Sequence, residues 1–532
     1  MLDQKARRLA GGVTAAHVAA AALAVAGHAA AQETPPEAAQ APARFEVRAF
    51  QVKGNTVLDA DTVERAVYPF MGPGRTADDI EAARAALQKV YEDRGYIAVA
   101  VYIPEQSVET GILQLEVLEQ KIGQVIVTGA KKPETVRAQA PSLAEGLTPS
   151  LPAFQRDVVA MNQNPTRKVT PELKAGAAPG TLDVALTVEE TSAWHGSLEL
   201  NNYYSASTSK LRSALSLRHD NLWGRGDSLA LSAQTAPDRT EDGTVFSANY
   251  MARLRTGTQL LASAMHSDSD IAVIGGTNVI GKGDVVGLRL IQALGGKDGF
   301  YHSLTAGFDW KHFKEDVILG SDRAAAPIEY FPVMAAWRGD WMGDDRRADA
   351  TLTGVFGVRG LGDDRDAFDA KRYNARPSFF VVKFDGSYER ELPKDFIASG
   401  RLAVQWTDRP LIANEQFSLG GVNSVRVYRE SEAMGDYGLA FQLELRSPKL
   451  LTDWSAVDEL RIHGFVDAGY AWIHDRLPGQ NDNQGLSSIG VGVNARLFKH
   501  LNGTVDVGTP LISMPGRRVG PFTTSFRIWG EF

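Results

Sequence analysis

The side chains that could carry chemistry in this 532-residue chain are few, and their types exclude most reaction centres. There is no cysteine, so disulfides, thiolate metal sites and cysteine nucleophiles are ruled out by inventory. No G-x-S-x-G, no H-E-x-x-H and no clustered histidine ligands occur, and nothing implies an enzyme or a cofactor. Gly276-Thr277-Asn278-Val279-Ile280-Gly281-Lys282 follows most of a phosphate-binding loop. However, Gly283 stands where a serine or threonine is required and no strand-to-helix context follows, so the run reads as a glycine-rich turn before a strand from Val285 to Leu290. Two charged stretches remain. Gly420-Gly421-Val422-Asn423-Ser424-Val425-Arg426-Val427-Tyr428-Arg429-Glu430 sets Arg426 between two valines after a glycine pair, and Phe465-Val466-Asp467-Ala468-Gly469 supplies an acid beside a glycine. Opposite charges of this kind can form a clasp. A lone inward aspartate in a wet wall can equally be a solvated wall residue.

Both stretches lie within a region of period-two alternation that begins near Thr191 and runs to the end of the chain. Trp194, Leu198 and Leu200 alternate with His195, Ser197, Glu199 and Asn201. Phe246, Ala248, Tyr250, Ala252 and Leu254 do so against Ser247, Asn249 and Arg253. The same holds for Leu304 to Trp310 and for Phe441, Leu443 and Leu445 against Gln442, Glu444 and Arg446, and it blurs from Leu260 to Ser267. Around the acid, Val466, Ala468, Tyr470 and Trp472 form the apolar face, which turns Asp467 and Gly469 to the other side. One wet face suits a soluble sandwich or a membrane barrel. The segments approach the ~9–11 residues that span a membrane as strands, and no helical domain interrupts them. Phe522, Thr524, Phe526, Ile528, Gly530 and Phe532 share the face of a last strand. Sixteen antiparallel strands of about ten residues fit the length, as do fourteen or eighteen.

Upstream, Lys5, Arg7 and Arg8 precede an alanine-rich apolar run that ends in Ala29-Ala30-Ala31, the pattern of an export signal over residues 1–31. Residues 32–44 carry Pro35, Pro36 and Pro42 and read as a linker. Residues 45–120 then order as strand (Phe45 to Val52), short helix capped by Asp59 or Asp61, long helix (Ala77 to Arg94) and two strands (Ile97 to Ile103, Gly111 to Leu118). Residues 121–190 repeat the order loosely: a strand from Ile122 to Thr128, helices from Pro133 to Ala140 and Ser150 to Asn162, and a strand from Leu182 to Glu189. The formal charge of −8, with acids and bases mixed, offers no basic patch for nucleic acid.

Val52-Lys53-Gly54-Asn55-Thr56 and Tyr91-Glu92-Asp93-Arg94-Gly95-Tyr96 resemble polypeptide-transport-associated (POTRA) domains. The closing Phe532 resembles the assembly signal of outer-membrane barrels. Ser424 to Glu430 resembles the V-R-G-Y loop motif, and Phe465 to Gly469 the F-x-D-x-G strand motif, of the two-partner secretion transporters, the haemolysin secretion/activation family of ShlB/FhaC/HecB type within the barrel-assembly superfamily. Asn221 to Asp227 looks like a periplasmic turn of that family, and Leu443 to Pro448 like its strand before a turn. The resemblance implies an all-β transmembrane barrel of about sixteen strands over 191–532, preceded by two α+β POTRA-type periplasmic domains. It implies an outer-membrane translocase of a Gram-negative bacterium whose POTRA-like domains capture an unfolded secreted exoprotein. Its own insertion would need the barrel-assembly machinery and outer-membrane lipids, and it would act as a monomer. The alternatives are an insertase of the same superfamily and a passive porin.

The resemblance also assigns the site. A long loop returns into the pore, where Arg426, flanked by Val425 and supported by Tyr428, pairs with Asp467 on a wall strand that also carries Phe465 and Gly469. Val427 replaces the motif glycine, and a β-branched residue there predicts a more extended loop tip. Many relatives carry a plugging helix at the N-terminus, which the proline-rich 32–44 segment does not supply.

Overall fold

The computed structural model describes residues 43–532 except 163, 207, 241, 242, 256, 270, 275, 276, 315, 320, 321 and 514–521. The expected export signal and all but the last two residues of the linker lie outside the described residues. The chain divides into two compact units, one made of the segments up to Lys53, Asp59–Leu87 and Val101–Glu116, the other of the remainder.

In the first unit, the stretch expected as one strand is two. Phe45–Val47 pairs antiparallel with Gly72–Arg75, whereas Ala49–Lys53 pairs parallel with Ile112–Glu119. The backbone changes partners at Arg48, whose amide donates to the Gly111 carbonyl. Asp59 caps the helix Ala60–Val67 by accepting from the Thr62 amide at 2.8 Å, a contact that satisfies one of the orphan donors of the first turn. Val47, Ile80 and Leu113 are buried together with Phe45, Phe50, Met71, Ile103 and Val108 packed on them.

The second unit opens on a small α+β module. Thr181–Glu190 runs between Lys121–Thr128, parallel, and Arg167–Ala175, antiparallel. Ile122, Val136, Leu143, Met161 and Leu186 fill its core. Arg167–Ala175 escapes a pattern search because it is an edge strand: only Val169 is buried, and Pro171 sits mid-strand, which an edge tolerates. The helix expected to reach Ala140 stops at Arg137.

Sixteen antiparallel strands then close into a barrel. They are β1 (Trp194–Asn201), β2 (Arg212–Leu222), β3 (Asp227–Thr235), β4 (Val245–Arg255), β5 (Thr258–Ser267), β6 (Gly283–Lys297), β7 (Phe300–Phe313), β8 (Ile328–Met342), β9 (Arg346–Gly362), β10 (Phe380–Leu392), β11 (Phe396–Thr407), β12 (Tyr437–Arg446), β13 (Val457–Trp472), β14 (Asn483–Leu497), β15 (Leu501–Pro510) and β16 (Thr523–Glu531). The alternation has its physical cause here: Leu198, Phe246, Leu304, Phe308, Leu443 and Val466 are exposed on the outer wall, while Arg461, His463, Phe465, Asp467, Gly469 and Ala471 line the inner face of β13. A lipid-facing surface buries apolar groups that water would not. The glycine-rich run before β6 is not a turn throughout. Thr277–Ile280 pairs as a strand with Ile271–Ile274.

The barrel closes where β16 meets β1 through five registered pairs, from Arg527↔Asn201 to Glu531↔Ser197. Phe532 extends the seam: its amide donates to the Gly196 carbonyl at 3.1 Å and its carbonyl accepts from the Gly196 amide at 3.2 Å. A Cβ on Gly196 would fall 2.4 Å from the Phe532 ring, so the ring lies over a position that must stay bare. Gly196→Val is therefore expected to push Phe532 off the seam and lower the temperature at which the folded barrel loses its compact electrophoretic mobility. An unchanged transition would show that the ring seat contributes nothing to closure.

Candidate functional site

Residues 408–436 connect β11 to β12 and fold back into the barrel. Ala413–Glu415 forms one 3-10 turn, and Phe417–Leu419 pairs with Ala433–Gly435 as a short hairpin. Apolar packing holds this arm inside: Leu419, Val425, Tyr428 and Ala433 are buried against Ala440, Ala471 and Leu486 of the wall. The hairpin's tip needs positive φ, which the glycine pair supplies with Gly420 at 100° and Gly421 at 91°.

Arg426 projects from this tip to β13. Its Nε lies 2.8 Å from Asp467 Oδ2 and its Nη2 2.9 Å from Oδ1, a two-pronged contact, and its backbone amide donates to Oδ2 at 3.0 Å. A planar guanidinium meeting a carboxylate in this way is among the stronger protein contacts. The third nitrogen, Nη1, reaches Glu444 Oε2 on β12 at 2.5 Å. The guanidinium carbon stacks 3.9 Å from the centroid of the Phe465 ring. Asp467 is fully buried and Arg426 nearly so. Burial alone would lower the guanidinium's pKa, but the Asp467 and Glu444 carboxylates outweigh it and raise it, so the cation is locked in.

The neighbouring positions make room for this contact. The loop packs directly on Gly469 of β13, where a Cβ would meet Leu419 at 2.5 Å and Val425 at 3.2 Å. The Tyr428 hydroxyl lies 2.6 Å from the Ile512 carbonyl and 3.0 Å from that of Ser487, tying the tip to the β14–β15 sector. Phe532 is elsewhere, at the seam. Val427 corrects the expectation of an extended tip: its φ is 81°, in the left-handed region. A β-branched residue is strained there by roughly 1–2 kcal/mol. Its side chain is seated opposite Gly508 of β15, where a Cβ would stand 2.6 Å from Val427 Cγ2. The contacts of Arg426 and Tyr428 on either side fix the turn that Val427 must complete.

The alternation places Glu444 on the wet face, and the structure gives it two partners there. Its second oxygen accepts from Arg446 Nε at 2.7 Å, and Arg446 in turn reaches Glu389 on β10 at 2.9 Å. Beside it, His463 Nε2 is 2.7 Å from Asp506 Oδ1. Glu430 was also missed as a functional residue. It is buried behind the tip, where one oxygen accepts from the Val422 amide at 3.1 Å and the other has no hydrogen-bond partner among the described residues. Burial pushes its carboxyl up to about 7, against the pull of the Val422 amide. Gly421 lies flush against that carboxyl, since a Cβ there would fall 2.1 Å from it. Gly421→Ala is thus expected to expel Glu430 and unseat the tip, read as faster protease cleavage within 420–432 on intact cells. Unchanged cleavage would mean that the carboxyl moves aside at no cost. Among the described residues no cluster is arranged to hold a metal ion.

A closed sixteen-stranded barrel, an α+β module at its N-terminus and a loop clasped inside the lumen define an outer-membrane transporter. Residues 180–295 and 339–495, together more than half of the chain, match the haemolysin secretion/activation protein ShlB/FhaC/HecB family, and residues 45–120 match the ShlB-type POTRA domain. The chain belongs to that family. It is 25% identical over 499 residues to the outer membrane transporter CdiB of Dickeya dadantii strain 3937, covering 88% of this chain and 83% of that one. Among solved structures it is similar to CdiB from Escherichia coli, with a TM-score of 0.65, 22% identity and coverage of 94% of this chain and 93% of that one. CdiB from Acinetobacter baumannii gives a TM-score of 0.62 at 15% identity, covering 93% and 91%. The protein is an outer-membrane transporter of the two-partner secretion type, with its N-terminal α+β region in the periplasm.

Proposed function

We propose that the protein captures an unfolded exoprotein in the periplasm and passes it outward through the barrel, and that loop 408–436 is the element displaced as the client enters. The observation that carries this reading is the Arg426–Asp467 contact, a charge clasp on a lumenal loop rather than on a wall. Capture would use the unpaired sheet edges. Ala49–Lys53 and Val99–Tyr102 bound one small sheet, and Lys121–Thr128 and Arg167–Ala175 bound the next. Such an edge offers main-chain partners to an extended peptide of any sequence. We assign 121–190 as a second POTRA-type domain on its element order. Arg426, with Val425 and Tyr428, is the loop's side of the clasp; Asp467, with Phe465 and Gly469, is the wall's; Phe532 serves assembly by the barrel-assembly machinery. The transporter works as a monomer in outer-membrane lipid, without catalysis, and extracellular folding of the client draws the chain out.

The test is removal of the protein from intact cells followed by an inventory of surface and secreted proteins. Loss of one large exoprotein is expected. Loss of many barrels would assign it as an insertase, and conductance that persists unaltered without residues 45–190, with no exoprotein lost, would assign it as a porin.

A further inference from the structure

Loop 408–436 touches the wall through charge at a second place. Glu415, at the end of the 3-10 turn Ala413–Glu415, is buried, and its Oε1 accepts from Lys311 Nζ at 2.5 Å and from the Tyr330 hydroxyl at 2.7 Å. Lys311 on β7 and Tyr330 on β8 are registered partners, so both point into the lumen, and the ammonium lies 5.7 Å from the Tyr330 ring centroid. The Glu415 backbone carbonyl accepts from Gln405 Nε2 on β11 at 2.9 Å, and Lys383 on β10 adds a second positive charge toward the carboxylate.

The two contacts differ in what they restrain. The loop is rooted in β11 and β12, and Arg426 grips β12, one of those roots, and its neighbour β13. Glu415 grips β7 and β8, separated from β12 by three strands. Glu415 therefore restrains the outgoing arm toward a part of the wall that Arg426 does not touch.

We propose that Glu415, Lys311 and Tyr330 form a second clasp that holds the loop's outgoing arm against the β7–β8 wall and has to open along with the Arg426–Asp467 pair for a client to pass. Glu415 is a positioning residue, acting on the pore through the loop. The carboxylate is buried and shared between a cation and a phenol, so removing its charge takes the counter-charge from Lys311, and removing Lys311 leaves it the Tyr330 hydroxyl and the more distant Lys383.

The inference rests on reading 408–436 as the displaced element, and the two can fail separately. The experiment uses the full-length protein in planar bilayers and in secreting cells, with variants Lys311→Glu, Glu415→Lys, the double exchange of the two, and Glu415→Gln, all checked for heat-modifiable mobility. Each single reversal is expected to raise the open fraction at least about tenfold, as expected for loss of one partner of a buried pair, and to impair secretion. The double exchange should bring both readouts back to within about threefold of the parent, since it restores an opposite pair in the same place. Parent-like singles, or a double exchange no better than the singles, would overturn the second clasp. Should the reversals fail to assemble, Glu415→Gln decides: it keeps the shape and loses the charge, so a raised open fraction supports the clasp and a parent-like one overturns it. Silent Glu415 variants beside a defective Arg426→Ala would remove this inference alone. Normal secretion by Arg426→Ala would remove the underlying reading.

Discussion

Arg426→Ala is expected to reach the outer membrane as a heat-modifiable barrel and to secrete its client at least about tenfold less than the parent, with a raised resting conductance. The size follows from burial. An exposed ion pair contributes roughly 0–1 kcal/mol, whereas removing one partner of a buried pair costs about 3–5 kcal/mol, because the other charge is left without water or counter-charge. Asp467 is fully buried and takes three of the loop's N–H donors, so the truncation falls near the upper end. The two acids at the site should rank accordingly. Asp467→Asn deprives the guanidinium of its two-pronged partner and should approach Arg426→Ala in effect. Glu444→Gln removes one arm only, and Arg446, which shares Glu444, keeps Glu389 as a partner, so its effect should be several-fold smaller. The double variant Arg426→Ala with Asp467→Ala should be milder than the sum of the singles, since no unpaired charge remains. Normal secretion by both Arg426→Ala and Asp467→Asn would remove the loop from the mechanism.

The orientation of Asp467 was readable from local pattern because β13 alternates cleanly. Val466 and Ala468 face outward while Phe465, Asp467 and Gly469 face in, and a period of two leaves no other choice. The barrel was readable for the same reason, many times over. Features created by the returning loop were not. Glu444 and Glu415 acquire partners far away in sequence, Arg426 and Lys311, only once residues 408–436 fold inward, and no spacing rule links positions joined by tertiary packing. Val427 shows a different limit. Its side chain argues for an extended backbone, yet contacts on both sides and the bare surface of Gly508 impose φ of 81°. Tertiary over-determination defeats a local preference of 1–2 kcal/mol in cases like this. In the N-terminal modules, the short edge strands Gly72–Arg75 and Arg167–Ala175 were passed over because an edge carries little buried apolar signal.

Glu430 should make the loop's seat depend on pH, in a direction fixed by its burial. The seated carboxyl has a pKa of about 7, while a displaced loop would return it to the ordinary value of 4.5. Below 4.5 both states hold the proton and Glu430 is neutral in its effect. As pH rises from there to about 7, the displaced state ionises and the seated one does not, so seating weakens by up to about 1.4 kcal/mol per pH unit. Above 7 both are ionised and the penalty levels off at about 3 kcal/mol. Acid should therefore close the pore: the open fraction in bilayers is expected to fall as pH is lowered from 7 to 4.5 and to change little above 7. Glu430→Gln keeps an acceptor for the Val422 amide and cannot ionise, so it should flatten this response and leave the pore more closed at neutral pH. His463, 2.7 Å from Asp506 on the wall, is a second ionisable side chain in the lumen, and His463→Gln is the control. A pH response that survives Glu430→Gln and vanishes in His463→Gln would assign it to the histidine. The magnitudes suit a transporter. The clasp at Arg426 is worth about 3–5 kcal/mol on truncation, and at neutral pH the buried Glu430 offsets much of it, leaving a loop that stays seated at rest and yields to an entering chain.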